Sequence, residues 1–235
     1  MSCISEQLDE IQERIRRAAI AAGRHPDSVK LIAVSKTFPA DAVLQAFKAG
    51  QKCFGESRLQ EAAPKIGLLP EGLDWHFIGR VQSNKVRKIL PLFGSIHAVD
   101  SLKLAKYTDG VAGDLGVAPK AFLQVNIAGE VTKGGFAPED LDRSIEELRF
   151  LKHLKIVGLM TIPPAVEEAG QSRVWFRKLR ELRDEIVAKH SIGLPDLSMG
   201  MSGDFEIAIE EGATHVRVGS AIFGMRDYKI SGELG

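Results

Sequence analysis

Residues 31–36, LIAVSK, place four consecutive apolar residues before a serine and a lysine. Strands that are apolar almost throughout are typical of a parallel sheet covered on both faces. Seven similar runs follow: KCFGE (52–56), DWHFIG (74–79), SIHAVD (95–100), AFLQVNI (121–127), LKIVGLMT (154–161), DLSMGMS (196–202) and HVRVGS (215–220). The run at 52–56 is the weakest strand prediction, because it is short and rich in glycine and charge.

Helical patterns separate these runs, most clearly at 141–151 and 171–190. Another amphipathic helix precedes the first run, and its apolar face is predicted from Ile4, Leu8, Ile11, Ile15 and Ala18. Eight parallel strands close naturally into a barrel, whereas an open doubly wound sheet usually has fewer. The sequence therefore predicts an α/β fold, a single (β/α)8 TIM-type barrel with an extra N-terminal helix. Because no linker composition divides the chain, residues 1–235 are expected to form one domain.

Composition excludes several classes of partner. Lys plus Arg and Asp plus Glu both number 31, so the net charge gives no reason to expect nucleic acid or an anionic membrane. No apolar run reaches the length of a membrane span. Cys3 and Cys53 are interpreted as free thiols in a reducing compartment. The acidic N-terminal segment argues against a transit peptide, which makes the cytoplasm the expected location.

Two turns that pair glycine with serine follow the last two predicted strands. One is Met199-Gly200-Met201-Ser202-Gly203-Asp204 and the other is Val218-Gly219-Ser220-Ala221. Barrel enzymes commonly hold phosphate after strands seven and eight, where backbone N–H groups and hydroxyls can donate to an anion. Asp204 is expected to cap the helix that follows. The alternative is that small residues serve only the tight geometry of such turns.

Lys36 closes the first strand, on the face shared by Ile32 and Val34. If that face is the barrel interior, the amine projects over the barrel mouth. There it loses hydration, its pKa falls, and it can form a Schiff base with a carbonyl. The alternative is a solvated lysine at a strand end.

Arg217 lies between two valines of the last strand, so its guanidinium is expected to be buried and to need a partner. A structural ion pair is the alternative to a functional role. No histidine shows metal-ligand spacing, and His76 and His97 are interpreted as core residues. The sequence predicts neither a metal site nor a residue with a catalytic role.

Several long motifs occur together and in order. They are AVSKTFP, FGESRLQEA, WHFIGRVQSNK, VNIAGEVTKGGF, GLMTIPP, LSMGMSGDFEIAI and HVRVGSAIFG. Over essentially its whole length the chain resembles the pyridoxal phosphate homeostasis protein family, the single-domain relatives of the alanine racemase barrel. The resemblance implies that pyridoxal 5′-phosphate (PLP) is the cofactor and that Lys36 holds it as a Schiff base.

The resemblance also assigns roles to other residues. It implies that Ser202, Gly219 and Ser220 hold the phosphate and that Arg217 faces the pyridine nitrogen. Ser57 departs from the family, which often has asparagine at that position, so a polar contact near the cofactor ring is expected to be altered.

The expected function is to bind, buffer and deliver PLP as a monomer, with PLP-dependent apo-enzymes as recipients. An arginine at the pyridine nitrogen weakens the ring as an electron sink. Related racemases use a second base, a tyrosine from a further domain. This chain ends before such a domain, and its tyrosines are Tyr107 and Tyr228. A slow PLP-dependent racemase, or an aldolase that uses Lys36, is the alternative.

Overall fold

A computed structural model describes residues 3–224 of the chain. Eight parallel strands form a closed barrel, in which each strand pairs with the next one and the last pairs with the first. The strands are β1 (Lys30–Val34), β2 (Cys53–Glu56), β3 (Asp74–Phe77), β4 (Ser95–Val99), β5 (Lys120–Gln124), β6 (Lys155–Met160), β7 (Asp196–Met201) and β8 (His215–Val218). The predicted barrel is confirmed, and the weakly indicated second strand is present.

Helices surround the barrel. They are α1 (Ile4–Ala21), α2 (Ala40–Lys48), α3 (Leu59–Gly67), α4 (Val86–Ile89), α5 (Leu102–Leu115), α6 (Pro138–Leu148), α7 (Arg173–His190), α8 (Phe205–Glu210) and α9 (Ser220–Phe223). Three short 3-10 turns lie at Pro26–Ser28, Ser83–Lys85 and Ala169–Ser172. Among residues 3–224, no helix is both long enough and apolar enough to cross a membrane.

The extra N-terminal helix is present as α1. Leu8, Ile11 and Ile15 are buried along one face, as their spacing predicts. The helix packs on α8, where Arg14 Nε and Nη2 donate to the two Glu206 carboxylate oxygens at 2.8 and 2.9 Å. The guanidinium also lies over the Phe205 ring, 4.7 Å from its centroid. This helix therefore covers the side of the barrel next to β7 and β8.

Two helix boundaries differ from the predictions. Helix α6 begins at Pro138 rather than at 141 and ends at Leu148 rather than at 151. Proline suits the first helical turn because its fixed φ is helical and it has no N–H to satisfy. Phe150 extended the apparent apolar pattern, yet it is 75% exposed. At 171–172 the chain forms a 3-10 turn, and α7 starts at Arg173.

Alternation along the strands separates two environments. Leu31 and Ala33 of β1 join the apolar core between barrel and helices. Ile32 faces the barrel interior instead, because it lies opposite Arg217 in the β1–β8 register, and a Cβ on Gly55 would come 2.9 Å from its Cγ2. Ile32 and Arg217 therefore lie on neighbouring strands in the barrel interior.

Candidate cofactor site at the carboxyl end of the barrel

Lys36 follows β1 at the carboxyl end of the barrel. It continues the inward-facing series of Ile32 and Val34, and its side chain is half-buried. Val34 also touches the last strand, since a Cβ on Gly219 would lie 3.3 Å from the Val34 Cβ. Val34, the last residue of β1, therefore lies against the turn that follows β8, and Lys36 lies two residues beyond it.

The backbone beneath Lys36 is held by a buried polar cluster, which we call the Glu56 cluster (Ser35, Glu56 and Lys65). Lys65 Nζ donates to Glu56 Oε1 at 2.6 Å and to the Ser35 carbonyl at 2.8 Å. The Ser35 hydroxyl donates to the same Glu56 oxygen at 2.7 Å. Thr37, on the other side of Lys36, has a φ of 71°, which is unusual for a residue with a branched Cβ. Lys36 therefore lies between Ser35, whose hydroxyl and carbonyl are hydrogen-bonded, and Thr37, whose backbone is left-handed.

Sequence reasoning missed the Glu56 cluster. Glu56 was assigned to the second strand, but nothing in the spacing links it to a lysine nine positions later. One signal in the sequence could have indicated the cluster. A carboxylate inside a strand that is buried on both faces requires a partner. The other carboxylate oxygen, Glu56 Oε2, is buried and has no hydrogen-bond partner among the described residues.

Ser57 follows β2 as Lys36 follows β1. Val34 pairs with Gly55, and Lys36 and Ser57 each lie two residues beyond that pair, past the ends of the two strands. Ser57 is half-buried. Its carbonyl requires glycine at position 79, because a Cβ there would lie 2.1 Å from the Ser57 oxygen. Ser57 is therefore closely packed against the turn after β3.

The two glycine–serine turns meet. The Gly219 N–H donates to Ser202 Oγ at 3.2 Å, which joins the turn after β7 to the turn after β8. Ser202 is half-buried, Gly219 is buried and Ser220 is exposed. Gly200 has a φ of +91°, and a Cβ there would come 2.6 Å from the Ala208 Cβ, so the β7 turn requires glycine at that position. The result is a shared surface of small residues carrying hydroxyl and N–H groups.

The prediction for Asp204 was wrong. Asp204 occupies the N-cap position of α8, but its side chain makes no hydrogen bond to that helix. Its Oδ1 accepts instead from the Met201 N–H at 2.7 Å. The carboxylate closes the β7 turn on itself, a local bond that competes with capping for the same oxygen.

Arg217 is buried inside the barrel, as predicted. Its guanidinium donates to Ser198 Oγ at 2.6 Å and to the Thr161 carbonyl at 3.0 Å. Burial lowers its pKa to about 10, so it remains protonated at neutral pH. Within the described chain it forms no ion pair with a carboxylate, so the structural ion pair considered for it is not observed.

A hydrogen-bonded row runs from Arg217 down the barrel interior. Ser198 Oγ also bonds His97 Nδ1 at 2.8 Å, and His97 Nε2 bonds His76 Nδ1 at 2.8 Å. Burial holds the pKa of His97 well below its usual range. His97 is therefore a neutral core residue with both ring nitrogens bonded, in agreement with the sequence interpretation.

Comparison with known proteins gives the family. The sequence model of the protein family described as alanine racemase, N-terminal domain, matches residues 7–227. A pyridoxal phosphate homeostasis protein of Pseudomonas aeruginosa is 48% identical over 230 residues, 97% of this chain and 98% of the relative. One from Aquifex aeolicus is 44% identical over 224 residues, 95% of this chain and 98% of the relative. The chain belongs to the pyridoxal phosphate homeostasis protein family. This confirms the resemblance read from the motifs.

Solved structures agree with this membership. PipY of Synechococcus elongatus, in a structure with PLP bound, has a TM-score of 0.83 and 40% identity, covering 94% of this chain and all of its own. The family's likeness to alanine racemase is one of fold. A Clostridium difficile alanine racemase has a TM-score of 0.71 at 18% identity, and this chain spans 58% of its length.

Proposed function

We propose that this protein binds PLP at the carboxyl end of the barrel and holds it as a Schiff base on Lys36. The observation that supports the proposal is the pairing of β8, β1 and β2 in order, since Gly219, Lys36 and Ser57 follow these three strands at one end of the barrel. The names of the curated relatives and the PLP bound to PipY support the choice of ligand.

The donor set fits the cofactor's groups. The Ser202 and Ser220 hydroxyls are suited to donate to a phosphate, and the Gly219 N–H, which here donates to Ser202 Oγ, would join them by turning to the anion. The half-buried Lys36 amine suits an aldehyde. Arg217 would face the pyridine nitrogen, and Ser57 would lie near the ring in place of the family's usual asparagine. Bound PLP supplies an electron sink for amino-acid chemistry, and a guanidinium at its ring nitrogen weakens that sink.

We therefore propose PLP homeostasis with little or no catalysis. In this role the protein would act as a cytoplasmic monomer that gives PLP to apo-enzymes. The curated relatives are named as homeostasis proteins rather than as enzymes. A slow racemase remains the second candidate, and it would need a base opposite Lys36. Tyr107 lies on α5 and is 46% exposed, whereas Tyr228 lies outside the described residues.

The test is borohydride reduction of the PLP-loaded protein followed by peptide mapping. We expect one pyridoxyl adduct, on Lys36, and none in Lys36→Ala, which should still bind PLP reversibly through its other contacts. Lys30→Ala is the matched control, because Lys30 opens the same strand at the opposite end of the barrel. An adduct on another lysine of the parent protein would refute the assignment. Turnover of any amino acid by the parent and not by Lys36→Ala would favour the racemase.

A further inference from the structure

Three metal-ligand side chains meet at the amino-terminal end of the barrel, opposite the proposed PLP site. We call them the floor cluster (Cys53, Asp74 and His76). Cys53 and Asp74 open β2 and β3 and are paired in register, and His76 lies two residues further along β3. Of the three, His76 also lines a pocket of about 300 Å³ at this end, together with Lys30 and His215 among others.

Two of the three distances between donor atoms match those of ligands around one ion. Asp74 Oδ2 lies 3.3 Å from Cys53 Sγ and 3.2 Å from His76 Nε2. All three ligand atoms lie within 4.8 Å of one another. Tetrahedral zinc, with bonds of about 2.0–2.3 Å to oxygen, nitrogen and sulfur, sets neighbouring donors about 3.3–3.5 Å apart.

His76 shows two further features of a metal ligand. His76 is 1% exposed, and its Nε2 lies 3.2 Å from Asp74 Oδ2 without the geometry of a hydrogen bond. Its other nitrogen, Nδ1, is bonded to His97 Nε2 at 2.8 Å. Metal-binding histidines almost always have the second ring nitrogen fixed in this way, which sets the ring orientation. A buried nitrogen aimed into the cluster with its ring already oriented is what a cation site requires.

We propose that Cys53, Asp74 and His76 bind one divalent cation of the zinc class. The combination of thiolate, imidazole and carboxylate suits zinc and cobalt better than magnesium or calcium, which prefer oxygen alone. Coordination would displace the Cys53 thiol proton to solvent and leave a fourth position for a water molecule. The site shares no residue with the proposed PLP site.

The Lys30 ammonium would compete with this cation for the Asp74 carboxylate. Its Nζ lies 3.5 Å from Asp74 Oδ2, and its side chain is 42% exposed. The ammonium can therefore turn to solvent when a cation binds, at the cost of one ion pair. Removing the lysine should strengthen binding of a divalent cation, an effect opposite to that expected for loss of a ligand.

Titration of the chelator-treated full-length protein with Co²⁺ tests the proposal. We expect one Co²⁺ per chain, tetrahedral visible bands and a near-ultraviolet thiolate-to-cobalt band, all displaced by one equivalent of Zn²⁺. Cys53→Ala should abolish the thiolate band and weaken binding at least about 100-fold, since loss of an outer partner alone costs about 10–100-fold. Cys3→Ala, which removes the exposed cysteine, should change neither.

Lys30→Ala keeps all three ligands and should tighten Co²⁺ binding, which preserves the test if Cys53→Ala fails to fold. Cobalt binding without a thiolate band in the parent protein would overturn the proposal. The same conclusion would follow if Cys53→Ala and Cys3→Ala bound Co²⁺ equally well, or if Lys30→Ala weakened binding.

Discussion

Replacing Lys65 with methionine should destabilise the protein by about 3–5 kcal/mol. The substitution keeps a stem of four atoms but removes the ammonium that donates to Glu56 and to the Ser35 carbonyl. Glu56 is fully buried, and its Oε2 already lacks a partner, so the carboxylate would keep only the Ser35 hydroxyl. Removing one member of a buried ion pair costs about 3–5 kcal/mol because the remaining charge has no compensation.

Urea unfolding followed by tryptophan fluorescence measures this loss, and Trp75 is a buried reporter next to the Glu56 strand. For a chain of this size the loss corresponds to a fall of about 6–20 °C in Tm. Lys106→Met is the matched control, because its partner Glu147 is 54% exposed and surface pairs contribute about 0–1 kcal/mol. The double variant Lys65→Met/Glu56→Gln should recover part of the stability, since no buried charge is left.

If Lys65→Met cost no more than Lys106→Met, the argument from burial would be wrong. A loss that the double variant does not reduce would mean that the hydrogen bonds donated by the ammonium, rather than the uncompensated charge of Glu56, hold this part of the barrel together. Because Ser35 precedes Lys36, we also expect Lys65→Met to slow formation of the borohydride-trappable adduct.

The other predictions concern the cofactor contacts and pH. Ser202→Ala and Ser220→Ala should each weaken PLP binding by about 1–3 kcal/mol, since each removes a hydrogen bond to a charged group; an unchanged titration of the double variant would refute the phosphate assignment. Arg217→Ala should shift the spectrum of bound PLP and its pH dependence, and an unchanged spectrum would place Arg217 away from the ring. Burial lowers the pKa of His215 from 6.5 to about 3. As the pH falls, this histidine is protonated in the unfolded chain before it is protonated in the folded protein. The free energy of unfolding should therefore fall by about 1.4 kcal/mol per pH unit below pH 6.5, and this loss should level off near pH 3. The slope should be smaller in His215→Phe.

Much of the barrel mouth could be predicted because it depends on local rules. Period-two alternation placed Lys36 with Ile32 and Val34, and a charged residue between two valines indicated that Arg217 is buried. The topology of a closed barrel then brings the turns after β7 and β8 together, as the bond between Gly219 and Ser202 shows. These inferences need only the order of the strands and the direction of each side chain.

Polar contacts between strands could not be predicted in the same way. Cys53 and Asp74 face each other only because β2 and β3 pair in a particular register, and a shift of one residue would separate them. Glu56 and Lys65 meet across a strand and a helix, at a distance that no sequence spacing encodes. Asp204 shows a different difficulty, since two nearby N–H groups compete for one carboxylate and sequence does not rank them.

The row from His76 through His97 and Ser198 to Arg217 restricts the direction in which its hydrogen bonds can donate. Each bond to a histidine ring holds one hydrogen, so the His76–His97 and His97–Ser198 bonds must donate in the same direction, while Arg217 always donates to Ser198. When His76 Nε2 keeps its hydrogen, His97 donates to His76 and Ser198 donates to His97. If the proposed cation bound Nε2, both tautomers would invert, and the Ser198 hydroxyl would accept from His97 and from Arg217 together. Under that proposal, occupancy of the floor cluster would reverse the direction of two hydrogen bonds that end beside Arg217, the residue proposed to face PLP.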